Sequence, residues 1–225
     1  MKLKFLTPPT SLDDWVQFIA VMIMRTLLLV AMVLTVVSGQ WLLFVPATLA
    51  YVFSFIPNLL ERHYRVDFPI EFELIAILFI FSSIFLGFFM SYYDRVWWWD
   101  DLLHTSSGVV LGFGSFLFLY TLHYQKKLMS TPFIIAFLSF CFALAMGAVW
   151  EILEFITDFV FGSDAQRSLD DTMWDLIVAS LGALVIVIPG YFYIKHDKPS
   201  MLARFLKKYV AANPHLKPKI PDDRS

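Results

Sequence analysis

Six long apolar runs divide the 225-residue sequence, and they constrain its fold more than any other feature. The runs cover approximately residues 16–38, 41–60, 73–93, 102–122, 133–160 and 174–194. A helix needs about 20 mostly apolar residues to cross the roughly 30 Å hydrocarbon layer of a bilayer. Open strands cannot cross lipid, and the runs lack the alternation of barrel strands. The predicted fold class is therefore all-α, a polytopic transmembrane helix bundle of about six spans.

The composition of the chain agrees with a membrane location. Hydrophobic residues make up 59% of the sequence and charged residues 16%, which is more apolar than a soluble core requires. We predict a six-helix transmembrane domain over residues 1–197 and a cytoplasmic tail over residues 198–225. The tail joins a basic amphipathic stretch to a proline-containing end, and we expect the stretch to lie on the anionic inner leaflet.

The sequence excludes some kinds of site and partner. A single cysteine cannot form an intrachain disulfide or a cysteine-based metal site. The absence of a glycine-rich phosphate loop and of a nucleic-acid motif gives no indication of nucleotide or nucleic-acid binding. The expected partner is therefore the lipid bilayer, with a lipid-linked or small-molecule ligand as a further candidate. The oligomeric state stays open.

The lysines and arginines fall almost entirely on one side of the six runs. One side holds 14 of them, the other holds Arg95 and Arg167, and Arg25 interrupts the first run. Basic residues resist translocation, so we predict a multi-pass protein of the cell (inner or plasma) membrane with both termini in the cytoplasm. A central arginine costs about 2.5–3.5 kcal/mol in lipid on insertion scales. We expect Arg25 to snorkel towards the cytoplasmic interface from a tilted helix or, as the alternative, to face another helix.

With this topology, the acidic residues gather toward the outer face. Crowded carboxylates repel one another and are costly to desolvate, so they need protons, basic partners or a bound cation. Taken singly, Asp100 or Asp101 could be a solvated acid at headgroup level, and Asp164 and Asp170 read as plain loop residues. The outer set holds 10 of the 19 acids: Asp94, Asp100, Asp101, Glu151, Glu154, Asp158, Asp164, Asp170, Asp171 and Asp175.

Three of the runs carry a polar stripe that leads to this face and is backed by small residues. In the fourth run, Asp100 or Asp101 shares a helical face with His104, and Gly108 and Gly112 continue that face. Packing the small residues of such stripes together would bring their acids together. The stripes of the fifth and sixth runs are Gly147, Glu151, Glu154 and Asp158, and Asp171, Asp175 and Gly182.

The stripes together predict a divalent-metal site at the outer ends of helices four to six. Hard oxygen ligands with one imidazole suit Mg²⁺, Mn²⁺, Ca²⁺ or Zn²⁺, and the residue types do not choose among these ions. Glu151 and Glu154 are also the candidates for a catalytic general base, and Arg95 and Arg167 are the candidates for binding an anion. The predicted metal ligands are Asp101, His104, Glu151, Glu154, Asp171 and Asp175.

These residues resemble the YjdF-type family of bacterial inner-membrane proteins and, more distantly, the VanZ-like proteins. The resemblance covers roughly residues 90–185. Glu154 stands where VanZ-like proteins usually have glutamine, Ala179 where they have asparagine, and Arg167 is spaced differently, so the YjdF-type family is favoured. The resemblance implies a polytopic envelope protein and transfers no activity. The residues that match the VanZ-like pattern are Asp101, His104, Glu151, Asp175 and Gly182.

Three functions remain open from the sequence. The acids and His104 could form a metal site of a membrane enzyme that acts on a lipid-linked or envelope substrate. They could instead form the site of a proton- or cation-coupled transporter, although no broken-helix repeat is visible. They could also stabilise helix packing in a structural or regulatory protein. Whether the chain is an enzyme is therefore left undecided.

Overall fold

The computed structural model of the chain describes residues 12–68, 70–162 and 165–216. Within these residues every regular element is helical, and six segments are long and apolar enough to cross a membrane. The predicted all-α class with about six spans is therefore confirmed. The spans are Trp15–Val37, Leu43–Tyr64, Glu71–Phe89, Trp99–Tyr124, Pro132–Phe161 and Leu169–His196.

The helices form two compact units, Met1–Trp99 and Asp100–Ser225, here called the N-terminal and C-terminal units. The helices in chain order are α1 (Leu12–Val37), α2 (Trp41–Phe53), α3 (Ile56–Tyr64), α4 (Ile70–Ile80), a π-helical segment (Phe81–Phe89), α5 (Tyr92–Arg95), α6 (Trp99–Tyr124), α7 (Pro132–Phe161), α8 (Leu169–His196), α9 (Met201–Ala212) and a final 3-10 turn (Pro214–Leu216).

The second span of the N-terminal unit is a broken helix. The sequence predicts one continuous run over residues 41–60, but α2 ends at Phe53 and α3 begins at Ile56. Pro57 accounts for the break, because it has no N–H to donate to the carbonyl group of Phe53 four residues earlier. The residue at the break, Ser54, is fully buried, as non-helical backbone at membrane depth requires.

Arg25 of α1 lies inside the N-terminal unit and contacts this break. Its Nη2 donates hydrogen bonds to the backbone oxygen of Ser54 and to Oδ1 of Asn58, both at 2.7 Å. The same nitrogen lies 3.1 Å from Oε1 of Glu73, and the guanidinium lies 4.4 Å from the centre of the Phe55 ring. The side chain is 6% exposed. The expectation of snorkelling was wrong, and the alternative that Arg25 faces other helices is confirmed.

The C-terminal unit brings α6 and α8 into backbone contact through two glycines. A Cβ atom at Gly108 of α6 would overlap the carbonyl oxygen of Ala179 on α8. A Cβ atom at Gly182 of α8 would likewise overlap the carbonyl oxygen of Thr105 on α6. Small residues permit such close approach between membrane helices. The two glycines therefore fix how near the polar ends of α6 and α8 come to each other.

The helix α9 packs its apolar side on the C-terminal unit. Leu202, Leu206 and Tyr209 are buried, and the Phe205 and Phe113 rings meet edge to face at 4.8 Å. The sequence predicts that this stretch lies on the anionic inner leaflet. Other parts of the protein cover the apolar residues named here, and the contact of the stretch with the leaflet stays a prediction.

Candidate functional site

His104 lies at the centre of a buried cluster of carboxylates in the C-terminal unit. Its Nε2 is 3.5 Å from Oδ1 of Asp100 and 3.9 Å from Oδ2 of Asp175. Its Nδ1 is 3.7 Å from Oε1 of Glu151. One ligand atom from each of Asp100, His104 and Asp175 lies within 4.8 Å of the other two. Three helices, α6, α7 and α8, therefore contribute to one cluster.

The cluster is largely shielded from its surroundings. His104 is 7% exposed, Glu151 is 5% exposed and Asp175 is 3% exposed. Within the described part of the chain, no donor makes a hydrogen bond to Oε1 of Glu151. A buried carboxylate oxygen without a hydrogen bond is costly, because burial removes the water that would otherwise satisfy it. This oxygen is thus available to a proton or a cation.

Helix starts and ends place these side chains at one end of the unit. Asp100 stands in the first turn of α6, and His104 follows four residues later on the same face. The hydroxyl of Ser168 caps α8 by accepting from the N–H of Asp171, which places Asp175 in the second turn. The antiparallel α7 supplies Glu151 from the part of the helix that approaches its C-terminus.

The connection between α7 and α8 is tied down by Asp158. Its two carboxylate oxygens accept from the backbone N–H groups of Ala165 and Gln166, each at 2.8 Å. The side chain of Gln166 donates to Oγ1 of Thr172 at 2.9 Å, which joins the connection to α8. Asp158 was part of the predicted stripe, but its described contacts hold the loop and do not reach the cluster.

This loop carries Arg167 to the edge of the cluster. Its Nη1 donates to Oδ2 of Asp100 at 3.2 Å and lies 4.0 Å from Oδ1 of Asp171. The side chain of Arg167 is 42% exposed, so the guanidinium contacts the carboxylates and is also accessible at the surface of the protein. Asp164, in the same loop, lies outside the described residues.

The structure brings together only part of the predicted ligand set. His104, Glu151 and Asp175 meet, and Asp171 borders the cluster through Arg167. The acid that contacts His104 is Asp100, whereas the sequence interpretation selected its neighbour Asp101. Helical spacing did not distinguish the two acids, because residues three and four positions from His104 both share its face.

Two further predicted residues have other surroundings. Oε1 of Glu154 accepts from the indole Nε1 of Trp150 at 2.9 Å, and its carboxylate also interacts electrostatically with Glu151 and His104. Arg95 is the last residue of α5, in the N-terminal unit. Its role as an anion ligand, like the metal and catalytic roles of the other residues, stays a prediction.

The charges of the cluster do not balance by themselves. Four carboxylates carry the negative charge of the cluster, and the groups that can carry positive charge are the guanidinium of Arg167 and the imidazole of His104. The carboxylates belong to Asp100, Glu151, Asp171 and Asp175. Buried like charges are relieved by protonation, by a hydrogen-bonded cation or by a metal ion. The arrangement is therefore able to hold a proton or a cation.

Comparisons with known proteins identify the family. A family model described as "Predicted membrane protein (DUF2238)", to which the YjdF-type resemblance corresponds, matches residues 19–196. A Thermotoga maritima protein described as uncharacterized is 28% identical over 130 residues, which are 57% of this chain and 66% of the relative. The match thus spans slightly less than two thirds of that relative. No solved structure matches the chain. The chain therefore belongs to the DUF2238 family of predicted membrane proteins.

Proposed function

We propose that this protein binds one divalent metal ion through Asp100, His104 and Asp175. The observation that carries the proposal is the mutual distance of at most 4.8 Å among one ligand atom from each residue. Two ligands on opposite sides of an ion, each at about 2.0–2.6 Å, are about 4 to 5 Å apart. The side chains therefore need little movement to share one ion. Two carboxylates and one imidazole suit Mg²⁺, Mn²⁺, Ca²⁺ or Zn²⁺.

Glu151 completes the proposed site as a fourth ligand or as a general base. Its Oε1 is buried, lies 3.7 Å from Nδ1 of His104 and accepts no hydrogen bond from the described residues. A general base must have such an oxygen available for the proton that it takes. Glu154 is the weaker candidate for this role, because the indole of Trp150 already donates to its Oε1.

The substrate class that fits this site is a phosphate-bearing, lipid-linked or envelope molecule. A divalent ion polarises a phosphate oxygen or activates a water molecule. Arg167 is partly exposed at the border of the cluster, and a guanidinium binds phosphate oxygens through paired hydrogen bonds. Arg167 would therefore orient the anionic group from the open side, while the buried carboxylates lie behind it.

The proposed site lies at the outer face of the cell membrane, with both termini in the cytoplasm. The support is the distribution of basic residues, 14 on one side of the six spans and two on the other. Asp100 and Asp175 belong to the first and second turns of α6 and α8, which begin on the side that is poor in basic residues.

Metal content tests the proposal directly. The purified protein is stripped with chelator, incubated with each of the four ions in turn, desalted and analysed by elemental mass spectrometry. We expect about one ion per chain for at least one metal, and we expect Asp175→Asn to remove it. Asp170→Asn is the matched control, because Asp170 is an exposed acid on the same helix. No bound ion with any of the metals, or equal loss in both variants, would contradict the proposal.

Proton-coupled transport is the second candidate, and a separate observation favours it. His104 lies within 4.0 Å of carboxylate oxygens from three residues, Asp100, Glu151 and Asp175, so a protonated imidazole could serve as their counter-ion. In the membrane such groups are typical of proton pathways. Proton flux into proteoliposomes in the presence of chelator, lost in His104→Gln, would favour this candidate over a metal site.

A further inference from the structure

The end of α8 and the outer side of α9 carry a cluster of exposed cations. Between residues 195 and 208 there are five lysines and arginines and one acid, Asp197, which gives a net charge of +4 without His196 (five minus one). All five side chains are exposed. We call this surface the basic face, and its residues are Lys195, Lys198, Arg204, Lys207 and Lys208.

The apolar side of α9 is already covered, so the basic face must point away from the unit. Leu202, Leu206 and Tyr209 are buried, and the hydroxyl of Thr121 on α6 donates to that of Tyr209 at 3.4 Å. The helix is also fixed at both ends. Ser200 caps its start by accepting from the N–H of Ala203, and the side chain of the buried Asn213 donates to the carbonyl group of Tyr209.

Aromatic rings at the end of α8 hold three of the cations in place. The Lys195 ammonium donates to the hydroxyl of Tyr191 at 2.8 Å. The ammonium of Lys198 lies 5.2 Å from the centre of the Phe192 ring, and that of Lys207 lies 5.9 Å from the Tyr193 ring. The contacts with the rings orient positive charge without neutralising it. Lys207 also lies 3.4 Å from Oδ1 of Asp197, the acid already subtracted in the net charge of the segment. The basic face is therefore held in place by these contacts, and the segment keeps its net positive charge.

We propose that the basic face binds the headgroups of anionic phospholipids. The position of the face argues for this partner, because α8 is a membrane span that ends at His196 and α9 begins five residues later. The five cations thus lie where a bilayer surface begins, and lipid phosphates there are the complementary charge. Each lysine or arginine near an anionic membrane adds to the attraction, which salt screens. The proposal does not depend on the proposed metal site.

Fluorescence quenching in lipid nanodiscs tests the proposal on the full chain. A fluorophore is attached at Met201→Cys in a Cys141→Ala background, because Met201 is 81% exposed at the start of α9. Nanodiscs contain equal amounts of phosphatidylglycerol and phosphatidylcholine, and one of the two carries a nitroxide near the top of its acyl chain. We expect labelled phosphatidylglycerol to quench at least about threefold more strongly than labelled phosphatidylcholine at low salt.

Two charge variants and a salt series decide whether the basic face is responsible. Arg204→Gln with Lys208→Gln should lower the quenching ratio by about half, because two of the five cations are removed, and 1 M salt should bring the ratio of the parent protein close to one. Arg62→Gln with Lys127→Gln removes the same charge from exposed positions outside the basic face and should leave the ratio unchanged. Equal quenching by the two lipids in the parent protein, or an equal fall in both variants, would overturn the proposal. Unaltered circular dichroism of each variant shows that the fold is retained.

Discussion

Gly182 of α8 lies against the backbone carbonyl group of Thr105 on α6, so closely that a Cβ atom at position 182 would overlap the oxygen. The carboxylate of Asp175 stands two turns before Gly182, and the imidazole of His104 directly precedes Thr105 in sequence. The distance of 3.9 Å between Nε2 of His104 and Oδ2 of Asp175 therefore depends on this backbone contact.

Gly182→Ala should force α6 and α8 apart. Overpacking of this kind costs typically about 1–3 kcal/mol, so we expect a lower melting temperature in detergent and weaker binding of the proposed metal. Gly114→Ala is the control, because a Cβ at that position of α6 meets no atom within 4 Å. The control should be neutral or slightly stabilising. Equal melting temperatures for the two variants would show that the contact does not set the helix spacing.

Arg25→Leu should destabilise the N-terminal unit while the first span still inserts. The change leaves Glu73 and the carbonyl group of Ser54 without the guanidinium that contacts them. Breaking one side of a buried ion pair costs about 3–5 kcal/mol, and thermal unfolding in detergent measures the loss. The double variant Arg25→Leu with Glu73→Gln should recover part of that loss. A single variant as stable as the parent would show that the pair contributes nothing.

Asp158→Asn should loosen the connection between α7 and α8. Both carboxylate oxygens accept backbone N–H groups, and an amide offers only one oxygen to replace them. Hydrogen bonds to a charged group are worth about 1.5–3 kcal/mol. We expect faster hydrogen exchange at Ala165 and Gln166, measured by mass spectrometry. Asp170→Asn serves as the control, and unchanged exchange in Asp158→Asn would contradict the anchoring role.

Reporter fusions test the proposed orientation. We expect a reporter that is active only in the cytoplasm to function at Ser225 and to be silent when inserted at Asp164, because 14 of the basic residues lie on the side of the termini. A reporter that requires export should give the opposite pattern. Cytoplasmic activity at Asp164 would invert the orientation and with it the face on which the cluster lies.

The sequence predicts the spans well because length and hydropathy decide whether a helix can cross a bilayer. The sequence interpretation missed the break at Ser54, although Pro57 three residues later is a residue type that interrupts helices. Helical spacing also left Asp100 and Asp101 as equal neighbours of His104, since residues three and four apart both share a face. In the structure Asp100 contacts His104, which also lies near Asp175 of α8. The second of these contacts joins residues that are distant in sequence.

The sequence also does not show which residues a buried charge or an amphipathic helix will contact. The apolar run around Arg25 carries no sign that Glu73, 48 residues later, contacts the guanidinium. The amphipathic pattern of α9 likewise requires an apolar neighbour but does not say whether that neighbour is lipid or protein. In this chain it is protein, as the buried Leu206 shows.

The contact between Arg25 and Glu73 can form only after the third span has been translated. The first span emerges with an arginine whose carboxylate partner is translated 48 residues later. At about 5–20 residues per second, the nascent chain waits roughly 2 to 10 s before that partner exists. During this interval an unpaired Arg25 in the hydrocarbon would cost about 2.5–3.5 kcal/mol. The first span should therefore reach its final position in the bilayer only after the third span has been made.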